Sequence, residues 1–396
     1  MKPGSTPITP KCVGNPSKHS TRTIRWKSLT DILALLAVLA LVTVTPPSAY
    51  AQTLTVLHTF TGGSDGAYPH ASLVMDAKGN LYGTTYRGGP ANAGTVFEVN
   101  SDGVESVLHT FTGGTTDGGS PNAGLVLDSQ GNLYGTTIVG GAFGAGTVFK
   151  LTNTGGETIL YSFKGLHGAQ PYAGLLMDTK GNLYGTTCRG GASNYGTVFE
   201  LTPLGKETVL HSFKGSDGAC PFAGVIMDAH GNLYGTTADG GGGAGAAFEL
   251  IKSSVRILHS FRFHGGAYPA GGLVRDASGA LYGTTSAGTK SGGGGVFKVT
   301  TTGQFALLYA LPDGSDSQAG LTMDSSGDFY GTTSGGSGSV FKVTPTGKGT
   351  VLYKFTGGAD GAQPYAGLIM DSQGNLYGTA SEGGAGQVGT VFKLTP

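Results

Sequence analysis

Asp76-Ala77-Lys78-Gly79-Asn80-Leu81-Tyr82-Gly83-Thr84-Thr85 is the stretch that decides the fold. Its Leu-Tyr-Gly-Thr core begins at Leu81, Leu133, Leu183, Leu233 and Leu281, at Phe329 as Phe-Tyr-Gly-Thr, and at Leu376. The spacings are 52, 50, 50, 48, 48 and 47 residues. A period of this size marks a stack or ring of supersecondary units, none of which buries its apolar face alone.

One unit reads as four strands. Ala71 to Asp76 is a short apolar strand, and Ala77 to Asn80 is a tight turn in which Gly79 or Asn80 takes positive φ. Leu81 to Tyr86 is the second strand. After a Gly-rich connection, Thr95 to Val99 alternates as the third. Asn100 to Gly103 turns the chain, and Glu105 to Phe111 is the fourth. Four antiparallel strands in about 50 residues are the pattern of a propeller blade.

The two ends complement each other. Val56-Leu57-His58-Thr59-Phe60 matches the fourth strand, Val107 to Phe111, while the chain stops after the third strand of its last unit, Thr390 to Leu394. The sequence therefore predicts an all-β, seven-bladed propeller whose N-terminal strand completes the last blade. Closure removes exposed strand edges, which an open solenoid would leave at both ends. Leu73, Met75, Leu81, Val96, Phe97, Val99 and Leu108, with their equivalents, are the expected inter-blade apolar faces.

Residues 1–51 differ from the rest. Lys2, Lys11, Lys18, Arg22, Arg25 and Lys27 precede Ile32 to Val44, a run apolar except for Thr43, and then Pro46 to Ala51. This reads as a secretory signal cut after Ala51, with residues 52–396 as a single propeller that is secreted or periplasmic. An uncleaved anchor is the alternative, but the run falls short of the ~20 residues that span a bilayer. Beyond Ala51 remain 18 of the 24 basic and 23 of the 24 acidic residues, a net of −5. A mildly acidic body without a basic stripe argues against nucleic acid. A monomer is expected, with no stable membrane anchor after cleavage. Glycine, 74 of 396 residues, falls at fixed repeat positions and so marks turns, not disorder.

The unit Phe-x-Gly-x-x-Asp-Gly-Ala-x-Pro-x-Ala-Gly-Leu, followed by Asp-x-x-Gly-Asn-Leu-Tyr-Gly-Thr-Thr, Gly-Gly and Gly-Thr-Val-Phe, resembles the GloVer tandem repeat of exported bacterial proteins. The resemblance covers about residues 53–396. It implies export but no settled activity. Members of that family are often held at the surface by C-terminal anchors; this chain ends at its last blade, so release or periplasmic residence is expected. The Asp-x-x-Gly-Asn-Leu-Tyr segment also resembles NHL-type and lactonase-type propellers, over a stretch too short to imply an activity. The Gly-Gly after the second strand resembles kelch. Kelch and WD40 blades use Trp, however, and the one Trp here is Trp26.

Three sets of residues are candidates for chemistry. The turn aspartates Asp76, Asp128, Asp178, Asp228, Asp276, Asp324 and Asp371 recur in every unit, as a turn-holding role requires. A second set, Asp65, Asp117, Asp217, Asp313 and Asp360, precedes Gly in the loops between blades, with His167 and Gly265 in the same place elsewhere. These residues either cap turns or form a carboxylate ring for polar ligands. No loop carries the dense oxygen set that calcium wants, so neither metal nor cofactor is expected. The third set is the variable residue of Pro-x-Ala-Gly: His70, Asn122, Tyr172, Phe222, Ala270, Gln318 (after Ser317) and Tyr365. The scaffold repeats and this position does not. It starts the inner strand, so the set is expected at the channel mouth, suited to sugar or peptide contact. Packing between blade tops is the alternative.

His58, His109, His211 and His259 recur in the fourth strand, where other units have Tyr161, Tyr309 and Tyr353; this reads as an aromatic-sized packing position. The off-pattern histidines are His70, His167, His230 and His264. No Ser-His-Asp spacing, metal-binding His pair or phosphate loop appears. Cys188 and Cys220 fall on the same face of neighbouring blades, as a disulfide or as two thiols. The sequence thus points to a non-catalytic module that binds a glycan or protein partner. The alternatives are an extracytoplasmic hydrolase or lyase, with His70, His167 or Asp217 as first candidates, and a purely structural surface protein.

Overall fold

Each repeat becomes one four-stranded antiparallel sheet in a computed structural model that describes residues 52–396. In the first blade the strands are Val74–Met75, Leu81–Thr85, Thr95–Val99 and Glu105–Thr110, side by side in chain order. The last blade draws on both ends of the described chain. Ile369–Met370, Leu376–Ala380 and Thr390–Thr395 are completed by Thr53–Thr59, with Thr53 opposite Thr395 and Thr59 opposite Thr390. The fold is a seven-bladed β-propeller closed by its N-terminal strand. Among the described residues the only helical segment is one 3-10 turn, Gly165–His167, and no helix is long and apolar enough to cross a membrane. The proposed export segment, residues 1–51, lies outside the described residues.

Both faces of a blade are covered, so its third strand is apolar on both sides. Phe97 and Val99 pack with Phe60, Leu73, Leu81 and Val391, toward the last blade. Val96, just before Phe97 and on the opposite face, packs with Phe111, Leu125, Leu133 and Phe149, toward the second. The period of two along Thr95–Val99 thus addresses one neighbour and then the other. Met75 and Leu108 are half-buried at the margins of these clusters.

A ring of aromatic pairs ties blade to blade. The Phe after each fourth strand meets the third-strand Phe of the next blade edge to face. The centroid distances are 5.1 Å for Phe60–Phe97, Phe111–Phe149 and Phe163–Phe199, 5.3 Å for Phe213–Phe248, 4.9 Å for Phe261–Phe297 and 5.2 Å for Phe355–Phe392. Each such pair contributes about 0.5–1.5 kcal/mol beyond its area burial. Leu311 takes the Phe place before the sixth blade. These rings also explain the Gly of Leu-Tyr-Gly-Thr. Gly83 lies opposite Phe97, and a Cβ on it would come within 2.5 Å of the Phe97 ring.

The turn aspartates hold the hairpins. Asp76 Oδ1 accepts from the backbone N–H groups of Lys78 and Asn80 at 2.8 and 2.9 Å, and Oδ2 accepts from Asn80 Nδ2 at 2.9 Å. Burial pushes this carboxyl up, but the donated hydrogen bonds outweigh it and hold Asp76 below its ordinary value. The same direction holds at Asp128, Asp178, Asp228, Asp276 and Asp371.

The inner strand is shorter than the sequence suggests: only Val74 and Met75 pair within the blade, not Ala71 to Asp76. The residues before it bond between blades instead. Thr84 Oγ1 donates to Ala123 O at 3.2 Å, and the same bond runs from Thr136 to Ala173, Thr186 to Ala223, Thr284 to Ala319, Thr332 to Ala366 and Thr379 to Ala71. The first residues of six of the seven inner strands are thereby fixed at the top of the ring, where the variable side chains sit.

Candidate functional site

One cavity of about 770 Å³ takes the variable Pro-x-Ala-Gly residue from all seven blades. His70, Asn122, Tyr172, Phe222 and Tyr365 form a continuous arc across the seventh, first, second, third and fourth blades. Tyr365 meets His70 edge-on at 5.7 Å, and His70 Nδ1 lies 3.1 Å from Asn122 Oδ1. Asn122 Nδ2 reaches toward Tyr172 O at 3.5 Å, and Tyr172 meets Phe222 at 5.1 Å between centroids. Ala270 and Gln318 complete the circle with small and polar groups.

His70 also stacks on Tyr86, with centroids 5.2 Å apart. Burial holds its imidazole below the ordinary value, against a smaller upward pull from the Asn122 bond and from Glu382, so it is neutral near pH 7. Tyr365 OH donates to Gln363 Oε1 at 2.6 Å, and Gln363 Nε2 donates to Glu382 Oε2 at 3.0 Å. Asp239 and Glu382 are the carboxylates lining the cavity, from the fourth and seventh blades, and no Lys or Arg lines it. Arg189 lines a side recess with Asp239, Tyr195 and the Cys188–Cys220 disulfide.

A further ring of residues, two of which line the mouth, takes a conformation that the sequence pattern does not announce. Tyr68, Ser120, Gln170, Cys220, Tyr268 and Gln363, each just before the Pro of Pro-x-Ala-Gly, have φ between 49° and 55° or 56°. Left-handed backbone is unusual for such residues, and hydrogen bonds pin it on both sides. Tyr68 N donates to Val388 O of the preceding blade at 2.8 Å, and Tyr68 O accepts from Tyr86 N at 3.0 Å. Tyr68 and Tyr268 project into the cavity, each more than a third exposed. Their variability between fixed neighbours is the signal that marks them in the sequence, the same signal that singles out His70 and Tyr172.

The inter-blade carboxylates do not line this cavity. Asp65 accepts from Thr61 N and Oγ1 at 2.7 and 2.6 Å, and Asp117 from Thr112 N, Thr112 Oγ1 and Gly118 N at 2.7, 2.9 and 2.6 Å. Asp217 accepts from Lys214 N at 2.7 Å, and Asp360 from Thr356 N at 2.8 Å. Each also faces the fourth-strand His or Tyr behind it: His58 at 3.7 Å, His109 at 3.5 Å, His211 at 3.0 Å and Tyr353 OH at 2.9 Å. His167 is paired with the buried Glu207 at 2.6 Å, again away from the cavity.

The Gloeobacter/Verrucomicrobia repeat matches residues 40–248 and 224–396. The chain belongs to this repeat family. No protein of curated function matches the family member described here. Among solved structures, it is similar to the extracellular domain of BT4673 from B. thetaiotaomicron, at 10% identity and a TM-score of 0.60, over 86% of this chain and 39% of that one. The repeat protein thus spans about two fifths of that chain's length. It is also similar to oligogalacturonate lyase from Vibrio parahaemolyticus, at 10% identity and a TM-score of 0.55, over 88% of this chain and 94% of the other. At such identities the likeness is one of fold.

Proposed function

We propose that this repeat protein is an exported, non-catalytic binding module whose mouth cavity holds a neutral glycan. The observation that carries the reading is the arc Tyr365–His70–Asn122–Tyr172–Phe222 in a concave cavity without a cationic group. Aromatic faces pack against the apolar faces of pyranose rings, and the amides of Asn122 and Gln318 suit hydroxyl groups. A cavity bearing Asp239 and Glu382 but no Lys or Arg disfavours uronates and sulfated sugars. The one imidazole in the arc spends a nitrogen on Asn122 and its face on Tyr86, a positioned contact group. The net −5 body, the signal-like segment and the extracellular domain among the similar folds support action outside the cytoplasm.

A glycan array followed by titration calorimetry tests this. A neutral oligosaccharide should bind, and Tyr172→Ala, Phe222→Ala and Tyr365→Ala should each weaken it by about 1–2 kcal/mol while leaving the fold intact. Binding only by acidic glycans, or unchanged affinity in the triple variant, would remove the cavity from consideration. Binding of a protein in place of any sugar would assign the arc to a peptide instead.

A further inference from the structure

Between neighbouring blades the fourth-strand His or Tyr, the loop residue after it and the residue at the Glu105 place of the next blade's fourth strand mark one station. Going round the ring, five stations are filled by direct contacts. His167 pairs with Glu207 Oε2 beside Tyr161, while Glu207 Oε1 is buried without a hydrogen bond, so what sets the remaining two stations apart is the imidazole. His211 pairs with Asp217 at 3.0 Å, with Val255 in the third place. His259 stacks flat on Phe305 at 3.8 Å. The Tyr309 ring covers Gly349, and Tyr353 packs with Leu54 in one cluster.

Two stations are different. At His109, Asp117 and Glu157, both His109 Nε2 and Glu157 Oε1 are buried without a hydrogen-bond partner. At His58, Asp65 and Glu105, the equivalent His58 Nε2 and Glu105 Oε1 are orphaned in the same way. Leaving polar atoms without a hydrogen bond at one buried point is unfavourable. In both, the imidazole nitrogen faces the loop carboxylate at 3.5 and 3.7 Å, too long for a good hydrogen bond and close enough to share an ion.

We propose that the His109–Asp117–Glu157 station binds a divalent transition-metal ion of the zinc type, bridging the first and second blades. One ligand atom from each residue lies within 4.8 Å of the other two. Some point therefore lies within about 2.8 Å of all three, and modest side-chain rotation closes this to the roughly 2.0–2.2 Å of Zn–N and Zn–O bonds. One imidazole with two carboxylates suits zinc and its neighbours better than calcium, which wants six or more oxygens. Thr112 and Gly118 donate to Asp117 and hold its carboxylate toward the other two, as outer-shell partners of a metal ligand do. The ligands come from the fourth strand of one blade, the following loop and the fourth strand of the next, so the ion clamps two repeats. The looser His58 station, with His58 Nε2 3.7 Å from Asp65 Oδ2, provides an internal comparison.

The test is calorimetric titration of the purified, untagged protein with Zn²⁺ after chelator treatment, and with Co²⁺ for its visible absorption. One tight ion is expected. His109→Gln and Glu157→Gln should each weaken it by more than about tenfold and abolish the zinc-induced rise in Tm. Glu105→Gln and His211→Gln should leave the tight ion in place. Circular dichroism of each variant without metal establishes that it folds. Absence of a tight ion in the wild type, or tight binding that survives Glu157→Gln in a folded variant, overturns the proposal. Loss of the ion in His211→Gln alone would move the site elsewhere and overturn it equally.

Discussion

The hydroxyl of Thr379 donates to the carbonyl of Ala71 at 3.1 Å, across 308 residues of chain. It is the same bond that joins every other pair of blades but one, here made across the point of closure. The exception is Thr236. Its hydroxyl is buried without a partner, and the residue in the acceptor place is Gly271, not Ala. A Cβ at Gly271 would lie 2.3 Å from Ala319 O and 2.5 Å from Thr284 Oγ1, inside the next bond of the series.

This contrast sets the first prediction. Thr186→Val keeps the shape but removes the donor to Ala223 O, leaving a buried carbonyl unpaired, and should cost about 1–3 kcal/mol in chemical denaturation. Thr236→Val removes a hydroxyl that has no partner and should be neutral or stabilising. Equal losses in both variants would mean the hydroxyls matter for packing and not for the bond.

The Gly opposite each core phenylalanine sets the second. Gly83→Ala places a methyl within 2.5 Å of the Phe97 ring and 2.9 Å of Leu73 Cδ2, both buried, with Phe60 packed behind Phe97. Overpacking of this kind costs roughly 1–3 kcal/mol. Gly83→Ala with Phe97→Leu should recover part of the loss, since a smaller side chain frees the space. A double variant no better than the sum of the two singles would show that the ring is not what excludes the methyl.

Much of this was legible in the sequence for reasons of period. Alternation along Thr95–Val99, the Asp-x-x-Gly turn and the split last blade each follow from local rules, and all three are found as read. The inner strand was overread because Ala71 and its equivalents are apolar and extended, yet spend their carbonyls on the neighbouring blade. The left-handed backbone of the residues before Pro was not legible, because that conformation belongs ordinarily to Gly and is held here by bonds such as Tyr68 N to Val388 O. The pairing of the fourth-strand His with the loop carboxylate was hidden by its spacing. His58 and Asp65 are seven residues apart, His109 and Asp117 eight, and His211 and Asp217 six, so no fixed motif records it. What the mouth gathers was visible as variability; what it binds depends on an arc formed by five separate blades.

The disulfide gives a third prediction. Cys188 and Cys220, 32 residues apart, join the end of the third blade's second strand to the loop before the fourth blade. Closing a loop of that length stabilises by about 3–4 kcal/mol on chain-entropy grounds. The Cys188→Ser, Cys220→Ser variant should lose most of this, and the wild-type propeller should react with a thiol reagent only after reduction. Because Phe222 stands two residues beyond Cys220, the variant should also weaken ligand binding at the mouth by a smaller factor than Phe222→Ala. Two titrating thiols in the oxidised wild type would remove the bond and its stabilisation.

The orphaned carboxyl of Glu105 gives a pH signature. Burial first, and then the charge of Asp65, push it up from 4.5 to about 7. An acid whose folded value is raised binds its proton more tightly when folded, so stability falls as the pH rises from about 4.5 through about 7 and then levels off. His58, in the same station, is held below its ordinary value by burial and acts the other way, costing stability as the pH falls through about 6.5. The two effects separate by difference. With chelator present, Glu105→Gln should flatten the decline between about pH 5 and 7 and be more stable than the wild type at pH 8, while leaving the His58 limb unchanged. Denaturation midpoints measured from pH 4.5 to 8.5 read this directly. Parallel profiles for the two proteins would show that Glu105 ionises in the folded state as it does in the unfolded chain.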